Sequence, residues 1–377
     1  MPMTATTSQG RQPRLFAFAV SALLTLVLLA SALAPRAQAV GGLPGAGHPE
    51  LTVMTRNIYL GANLTPAITA QDFPSFLVAT TGIWNQMLAT NFPDRAVELA
   101  QEIQREGPEI VGLQEVALWR RGPDGVLDGP ATPATQVHQD FLQILRDELA
   151  ALGLNYQVAS NQQEFDFEAP TLLGFDARLT MRDVILVKRN RFLPGRVRVL
   201  GQDSDNFQNN LVVTTAAGDI TVLRGWNRID ARVGLRRFRL INTHLEAFSQ
   251  FHRQAQAQEL IAAGGPVQNA APYPVILLGD LNSDDPPVLP GDELAYQALT
   301  DFGFQRRGAP EDSCCHDGTL LLNPDPFDHI VDHVLTLPGL VQLGSSVTGG
   351  DPAERTPGGL WPSDHGGVVS ELQIFPG

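Results

Sequence analysis

Apolar and polar positions along the chain follow two periods, which predict an alternation of strands and helices. Residues 51–57 alternate apolar and polar side chains, as a half-buried strand does. Residues 93–108 begin at a proline, carry apolar residues at helical spacing and end in Gly-Pro, which predicts an amphipathic helix. Similar patterns predict helices over 138–152 and 248–263, and strands at 109–116, 182–189, 210–216, 219–226, 237–245, 275–280, 329–335 and 368–374.

The order of these elements predicts an α+β fold. Strands outnumber helices, the helices fall between groups of strands, and loops rich in Pro and Asp fill much of 283–327. Such an order favours two packed sheets with helices on their outer faces. With 377 residues, 43% of them hydrophobic, the chain is long enough to bury that core.

The N-terminal segment predicts a secretory signal peptide. Two arginines precede an uncharged apolar run over residues 15–35, and a small-residue stretch ends at Ala39. This pattern predicts cleavage of residues 1–39 and a secreted protein. The alternative is a membrane anchor formed by 15–35, since about 20 apolar residues span a bilayer. A short junction at 40–50 then leads to a single domain over 51–377.

Charge is unevenly distributed along the mature chain. Its 23 basic and 40 acidic residues give a net charge of -17, compared with -14 for the full sequence. Between Arg178 and Arg239, however, 13 basic residues face five acids, a local charge of +8. This segment is either a cationic border of the cleft or a set of solvated strand edges. An acidic surface repels a long polyanion, so a compact anion is expected to be favoured over a long nucleic acid.

The cysteines, Cys314 and Cys315, are adjacent. Neighbouring cysteines pair only as a vicinal disulfide, so they provide no disulfide framework even in an oxidising compartment. We expect two small buried or loop side chains, with a redox or structural role as the alternative.

Five predicted strands carry a short polar group at one end. A strand buries its middle, but its polar end must reach water or a ligand, so five such ends at one edge would line a cleft. Each residue alone is more typical of a turn. In an extended chain, Asp280 and Asn282 would point to the same face. The polar groups are Asn57, Glu115, 242–244, Asp280 with Asn282, and 363–365.

Six motifs together resemble the endonuclease/exonuclease/phosphatase superfamily, which includes deoxyribonuclease-like nucleases, abasic-site endonucleases, inositol polyphosphate phosphatases and secreted sphingomyelinases. The motifs are TRNIYLG, IVGLQEV, INTHLEA, VILLGDLNS, HIVDHVL and PSDHGGV, and they extend over about residues 51–376. The resemblance implies a four-layered α/β sandwich with its active site along one edge of two mainly antiparallel sheets. It also implies hydrolysis of phosphate esters with Mg²⁺, or with another divalent cation such as Mn²⁺ or Ca²⁺.

The resemblance implies metal-binding and substrate-binding positions. Glu115 matches the family's main metal ligand, with Asn57 and Asp364 beside it. His244 matches a position that contacts phosphate, and Asn57 and Asn282 match positions that contact the phosphoryl group. Mg²⁺ prefers oxygen ligands and is often held by one or two carboxylates, so Glu115 alone could anchor it.

A catalytic set is implied in the same way. A phosphodiester is attacked in line by water while charge stays on its nonbridging oxygens, so the site needs a nucleophile and counter-charge together. Asp332 resembles the acid that orients the last histidine, which would act as a base or proton shuttle. Asp328, four residues earlier, is the alternative orienting acid. The implied catalytic residues are His244, Asp280, Asn282, Asp332 and His365.

Two positions depart from the family pattern. Tyr59 stands where many relatives have an acid, which removes a second metal ligand. Ile330 stands where the family has an arginine, two residues before Asp332.

The sequence therefore predicts a secreted, monomeric, metal-dependent phosphoesterase that hydrolyses a phosphodiester of a lipid head group or a small ester. No stable protein partner is implied. A secreted nuclease acting on DNA or RNA is the alternative within the class. A non-catalytic surface protein that retains the fold is the alternative outside it, and the intact Glu115, His244, Asp280, Asn282 and His365 argue against it.

Overall fold

Two sheets position the polar strand ends in the structure, which is a computed structural model of the chain. It describes residues 48–123, 125, 133–189, 195–216, 218–268 and 273–375. The predicted signal peptide and most of the junction lie outside the described residues. Residues His48–Gly377 form one compact unit.

Nine of the sixteen described strands correspond to the nine predicted ones. The described strands are β1 (Glu50–Asn57), β2 (Ile110–Gln114), β3 (Leu118–Gly122), β4 (Gln136–Asp140), β5 (Tyr156–Pro170), β6 (Asp176–Lys188), β7 (Val197–Asn206), β8 (Leu211–Thr215), β9 (Gly218–Val222), β10 (Gly225–Val233), β11 (Arg236–His244), β12 (Val275–Asp280), β13 (Gln305–Arg306), β14 (Asp332–Thr336), β15 (Leu340–Thr348) and β16 (Gly367–Ile374). The strands that correspond to predicted ones are β1, β2, β6, β8, β9, β11, β12, β14 and β16.

Some helices have a side-chain cap at the start or a glycine at the end. Asp72 caps α2 by accepting a hydrogen bond from the Ser75 backbone N–H at 2.8 Å, and α3 ends at Gly107 with φ 65°. In the described part of the chain, no helix is both long and apolar enough to cross a membrane. The helices are α1 (Thr65–Ile68), α2 (Phe73–Ala89), α3 (Phe92–Glu106), α4 (Phe141–Ala151), α5 (Gln250–Ile261) and α6 (Leu294–Phe302), with a 3₁₀ turn at Pro352–Glu354.

Two sheets carry most of the strands. The larger has the order β15-β16-β1-β2-β6-β3-β4, with β5 paired to β6, and the smaller has the order β13-β14-β12-β11-β10-β7. β1 and β2 are parallel, as are β11 and β12, and the other pairings in these sheets are antiparallel. The predicted pair of mainly antiparallel sheets is confirmed.

Alternation along the strands produces four layers. In β1, Val53 belongs to the buried cluster between the sheets, together with Ile229 and Ile276 of the smaller sheet. Its neighbour Met54 belongs to a second cluster, formed with α2, α3 and α4. A third cluster packs α5 and α6 on the smaller sheet, with Leu277 among its members. The resulting order of helices, sheet, sheet and helices is the expected α/β sandwich.

Several elements differ from the sequence prediction. The predicted strands 210–216 and 219–226 give β8 and β9, which form a separate two-stranded sheet, and β10 starts within the second of them. α2 is unpredicted because apolar residues such as Val78, 61% exposed, lie outside its buried face. β5 is unpredicted because register shifts interrupt its alternation. The segment 283–327, predicted as loops, also contains α6 and β13.

A buried ion pair ties β1 to α3. Arg56 Nε and Nη2 each donate to the Glu102 carboxylate at 3.0 Å, and the two side chains are 0% and 1% exposed. The remaining guanidinium nitrogen, Nη1, donates to the carbonyl oxygen of His365. Arg56, the residue before Asn57, therefore connects β1 to α3 and to the segment that carries His365.

We expect Glu102→Gln to destabilise the fold strongly, because it leaves the Arg56 guanidinium buried without its counter-charge. The free energy of unfolding should fall by about 3–5 kcal/mol, measured by urea denaturation. Asp203→Asn is the matched control, since Asp203 pairs with Arg228 at 2.8 Å but is 52% exposed, and it should cost less than about 1 kcal/mol. Equal effects of the two substitutions would contradict this account.

Candidate active site

The strand pairings bring the predicted polar residues to one edge of the sandwich. Asn57 is at the end of β1, and Glu115 follows directly on the parallel strand β2, whose last residue pairs with Asn57. In the other sheet His244 pairs with Asp280, and Asp280 pairs with Asp332 of the antiparallel strand β14. Both parallel pairs thus direct their carboxyl ends to the same edge.

The carboxylate of Asp280 is the meeting point of both sheets. Its Oδ2 accepts from Asn57 Nδ2 at 2.9 Å and lies 3.3 Å from His244 Nε2 and 3.6 Å from His365 Nε2. Burial opposes ionisation of Asp280, but the two histidines and the hydrogen bonds from Asn57 and Asn282 outweigh it and lower its pKa. The group is therefore an ionised carboxylate surrounded by donors.

His365 is held by an acid on its other side. Its Nδ1 lies 2.9 Å from Asp332 Oδ2, which also accepts from Ser313 Oγ at 2.8 Å. Burial disfavours the charged imidazole, but Asp332, Asp280 and Asp364 together raise the pKa of His365 well above its ordinary value. The raised pKa favours the protonated imidazole, a state that suits the proton shuttle among the two predicted roles of base and proton shuttle.

The alternative orienting acid lies elsewhere. Asp328 is 70% exposed, and its carboxylate pairs with the neighbouring His329 at 2.6 Å. The structure brings Asp332, and not Asp328, into contact with His365.

His244 is a neutral hydrogen-bond donor. Its Nδ1 faces Arg224 Nη1 at 2.9 Å. A guanidinium only donates, so Nδ1 accepts and the ring proton is on Nε2, directed at Asp280. Burial and the positive charge of Arg224 lower the pKa of His244 to about 3. The imidazole therefore stays uncharged at neutral pH.

Glu115 has a buried carboxylate in an acidic environment. It adopts φ 57°, and its Oε2 accepts from the Leu60 backbone N–H at 2.8 Å. Burial and the negative charge of Asp364 raise its pKa to about 7. A cation beside these carboxylates would relieve the repulsion, and oxygen donors of this kind fit Mg²⁺. The predicted ligands Glu115 and Asp364 thus form an environment suited to a divalent cation.

Asp280 and Asp332 form a second acidic cluster, together with His365. Ligand atoms of Asp280, Asp332 and His365 lie within 4.8 Å of one another. Asp332 is already paired with His365 Nδ1, and Asp280 accepts from Asn57. These contacts describe a hydrogen-bonded proton network better than a set of metal ligands.

Asn282 differs from the expectation of an extended chain. It adopts φ 48°, so it does not continue the alternation of β12. Its backbone N–H donates to Asp280 Oδ1 at 2.9 Å, and its side chain donates to the Leu245 carbonyl oxygen at 3.0 Å. A turn closed by the Asp280 carboxylate therefore replaces the extended geometry.

Arg95 of α3 fixes the backbone around the site. Its fully buried guanidinium donates to the carbonyl oxygens of Ile58, Tyr59 and Pro362 at 2.9, 3.1 and 2.9 Å. One side chain thereby joins the loop after β1 to the segment before β16. The Tyr59 side chain, at the position of the missing acid, donates to the Gly318 carbonyl oxygen at 2.8 Å.

Three buried charged residues at this edge were not predicted as site residues. Arg224 contacts His244, and Asp183 and Glu164 lie close to Arg224. Burial and mutual repulsion with Asp183 raise the pKa of Glu164 well above its ordinary value. Neither carboxylate oxygen of Glu164 has a hydrogen-bond partner among the described residues. These three residues lie in strand interiors or loops outside any motif, so the sequence pattern contained little that could indicate them.

The cysteine pair also lies at the site, with Cys314 buried and Cys315 exposed in a loop, as expected of small buried or loop side chains. Cys314 and Cys315 are joined in a disulfide. Cys314 is buried, and its Sγ lies 3.5 Å from His365 Nε2.

The basic segment does not form a continuous border of the cleft. Arg224 contacts His244, but several other described arginines of the segment pair with acids. These pairs are Arg178 with Asp166, Arg182 with Asp140, Arg196 with Glu109, Arg228 with Asp203, and Arg239 with Asp230.

Comparisons with known proteins agree with this architecture. A sequence model of the Endonuclease/Exonuclease/phosphatase family matches residues 83–365, more than half of the chain. Among solved structures, a mannosyl-6-phosphatase from Bacteroides thetaiotaomicron is 18% identical with a TM-score of 0.51, covering 86% of this chain and 100% of that chain. An endonuclease/exonuclease/phosphatase family protein from the same organism is 16% identical with a TM-score of 0.50, covering 87% and 99%. A protein described in the same way from Beutenbergia cavernae is 19% identical with a TM-score of 0.50, covering 86% and 72%. No curated protein matches the sequence.

Proposed function

Because the chain belongs to the endonuclease/exonuclease/phosphatase family, we propose that it is a secreted, divalent-metal-dependent phosphoesterase that hydrolyses phosphodiesters by water attack. Family membership supports hydrolysis of phosphate esters. The observation that carries the finer proposal is the Asp280 carboxylate, which contacts Asn57, His244 and His365 at one edge.

Each polar group has a role that follows from its charge. Ionised Asp280 accepts a proton from the attacking water, since its lowered pKa keeps it a carboxylate. Protonated His365, held by Asp332, donates to the phosphoryl oxygens or to the departing alkoxide. Neutral His244 and the amide of Asn57 donate hydrogen bonds beside Asp280, and there they stabilise the charge of the phosphoryl group.

Glu115 would hold the metal, with Asp364 and the Asn57 amide oxygen beside it. Mg²⁺ is the proposed ion, since the donors are oxygens, with Mn²⁺ or Ca²⁺ as substitutes. A bound divalent cation would neutralise charge on the phosphate and polarise its oxygens. Glu115 is positioned for this by the hydrogen bond from the Leu60 N–H.

A compact ester suits this surface better than a nucleic acid. Long DNA needs several free cations along its track. Here the mature chain carries a net charge of -17, from 23 basic and 40 acidic residues, and many arginines of its basic segment are paired with acids. Arg224 supplies positive charge beside the catalytic residues.

Turnover of the purified protein tests the substrate class. Bis(4-nitrophenyl) phosphate, sphingomyelin, phosphatidylinositol, inositol phosphates, RNA and duplex DNA should each be assayed with Mg²⁺ and with chelator. We expect chelator-sensitive cleavage of small or lipid phosphodiesters to exceed that of duplex DNA at physiological salt. Faster cleavage of DNA than of every ester and lipid would establish the nuclease alternative, and inactivity on all of them would favour the non-catalytic one.

We expect Glu115→Gln to remove metal binding and turnover together. The substitution keeps the shape of the side chain and deletes its charge, so hydrolysis should fall about 100-fold or more, as several kcal/mol of charge stabilisation are lost. Calorimetric titration with Mg²⁺ should show the loss of affinity directly. Glu311→Gln is the control, because Glu311 is an exposed acid. Turnover by Glu115→Gln at the wild-type rate in saturating Mg²⁺ would contradict the assignment of Glu115 as the metal ligand.

Asp332→Asn should move the alkaline limb of the pH–rate profile to lower pH. The raised pKa of His365 keeps it protonated, and activity is lost as pH rises through that pKa. Removing the Asp332 charge lowers the pKa, so the loss should begin roughly 1–3 pH units earlier.

Asp328→Asn, the matched control, should leave the limb in place, because Asp328 contacts His329 instead. A shift produced by Asp328→Asn and not by Asp332→Asn would show that the orienting acid is misassigned.

A further inference from the structure

An apolar cavity of about 180 Å³ adjoins the catalytic edge. Its walls are formed by β5, β6, α1, α2 and the hairpin of β8 and β9. The lining includes Phe167 from β5 and Met181 from β6, which face Val213 and Ile220 from the hairpin. The cavity is therefore enclosed by segments that are far apart along the chain.

This apolar cavity is continuous with the catalytic residues. Glu115 and Arg224 both line it, and Arg224 Nη1 lies 2.9 Å from His244 Nδ1. Phe248, which is 51% exposed, lines it too. A molecule whose phosphate lies between Glu115 and His244 can therefore place an attached group in the cavity without a second binding site.

The lining favours a hydrocarbon group over a polar one. Apart from Glu115 and Arg224, the polar side chains among its lining residues are Thr80 and Thr215. Their hydroxyls donate to the carbonyl oxygens of Pro170 at 2.6 Å and Gly218 at 2.9 Å. A nucleobase would leave its hydrogen-bonding edge unsatisfied there, which is costly.

The volume indicates the size of the occupant. An apolar cavity of about 150 Å³ can hold one benzene molecule. The 180 Å³ here is therefore suited to one aromatic ring or to about six carbons of an alkyl chain.

We propose that the substrate is an amphipathic phosphodiester, and that this cavity binds the hydrocarbon group of one ester arm. The proposal rests on the proposed phosphoesterase function and narrows its substrate class. The water oxygen bonds to phosphorus, the P–O bond to one alcohol breaks, and that alcohol leaves with a proton. The products are the free alcohol and a phosphate monoester, whichever arm carries the hydrocarbon.

The binding test compares methylphosphonate with hexylphosphonate by calorimetry in the presence of Mg²⁺. Each buried methylene improves affinity by about fourfold, so partial burial of the hexyl chain should give at least about a tenfold advantage over methyl. Val213→Trp should abolish this advantage, because its ring fills the cavity. Val212→Trp should retain it, because the adjacent Val212 side chain is 55% exposed.

A second matched pair protects the test against misfolding. Ile220→Trp fills the cavity from the other strand of the hairpin, and Thr221→Trp places the same ring on the exposed neighbouring position. If circular dichroism shows that Val213→Trp is unfolded, the comparison of Ile220→Trp with Thr221→Trp tests the proposal instead. A hexyl advantage retained by the folded cavity-filling variant, or absent from the wild type, would overturn the proposal.

Turnover of methyl and hexyl esters of phosphocholine separates this proposal from the general function. Cleavage with a hexyl preference that Val213→Trp removes supports both. Cleavage of both esters with equal kcat/KM overturns the cavity assignment and leaves the phosphoesterase function standing. Tighter binding of hexylphosphonate without turnover of any phosphate ester overturns the phosphoesterase function, while the cavity remains a hydrocarbon site.

Discussion

The buried carboxylate of Asp280 is the contact on which the catalytic edge depends. A carboxylate removed from water is stable only when donors surround it. These donors come from the end of β1, from β11 and from the segment before β16. Satisfying one charge therefore fixes the relative position of both sheets at this edge, and it places Asn57, His244 and His365 around the point where a phosphoryl group would react.

Two buried arginines extend this constraint to the backbone. Arg56 joins β1 to Glu102 and to the His365 carbonyl oxygen, while Arg95 binds the carbonyl oxygens on both sides of the site. Groups held by strands and by buried hydrogen bonds keep their geometry better than groups on free loops. The proposed catalytic residues thus lie on a frame of strands and buried hydrogen bonds, and the apolar cavity bordered by the β8–β9 hairpin adjoins them.

The sequence was sufficient to predict the edge but not its surroundings. Asn57, Glu115 and Asp280 were predicted because each lies at the end of a short apolar strand, and the period of a strand is a local property. Asp332 was predicted from the family resemblance of the motif HIVDHVL. Arg224 and Glu164 were not predicted, because their neighbours in the structure are distant in sequence. A polar residue type alone does not indicate that its side chain is buried. The turn at Asn282 was missed for a similar reason, since a side-chain hydrogen bond overrides the extended pattern. The cavity could not be predicted, because elements far apart along the chain, from α1 to β9, line it.

The most direct test of the central claim is the rate of hydrolysis of bis(4-nitrophenyl) phosphate by Asp280→Asn in saturating Mg²⁺. Asparagine has nearly the same shape but carries no charge, and it cannot accept the proton from water. The account predicts a fall of about 100-fold or more, in the range of general base catalysis, in a protein that remains folded by circular dichroism. A folded Asp280→Asn variant that hydrolyses the diester at the wild-type rate would contradict it.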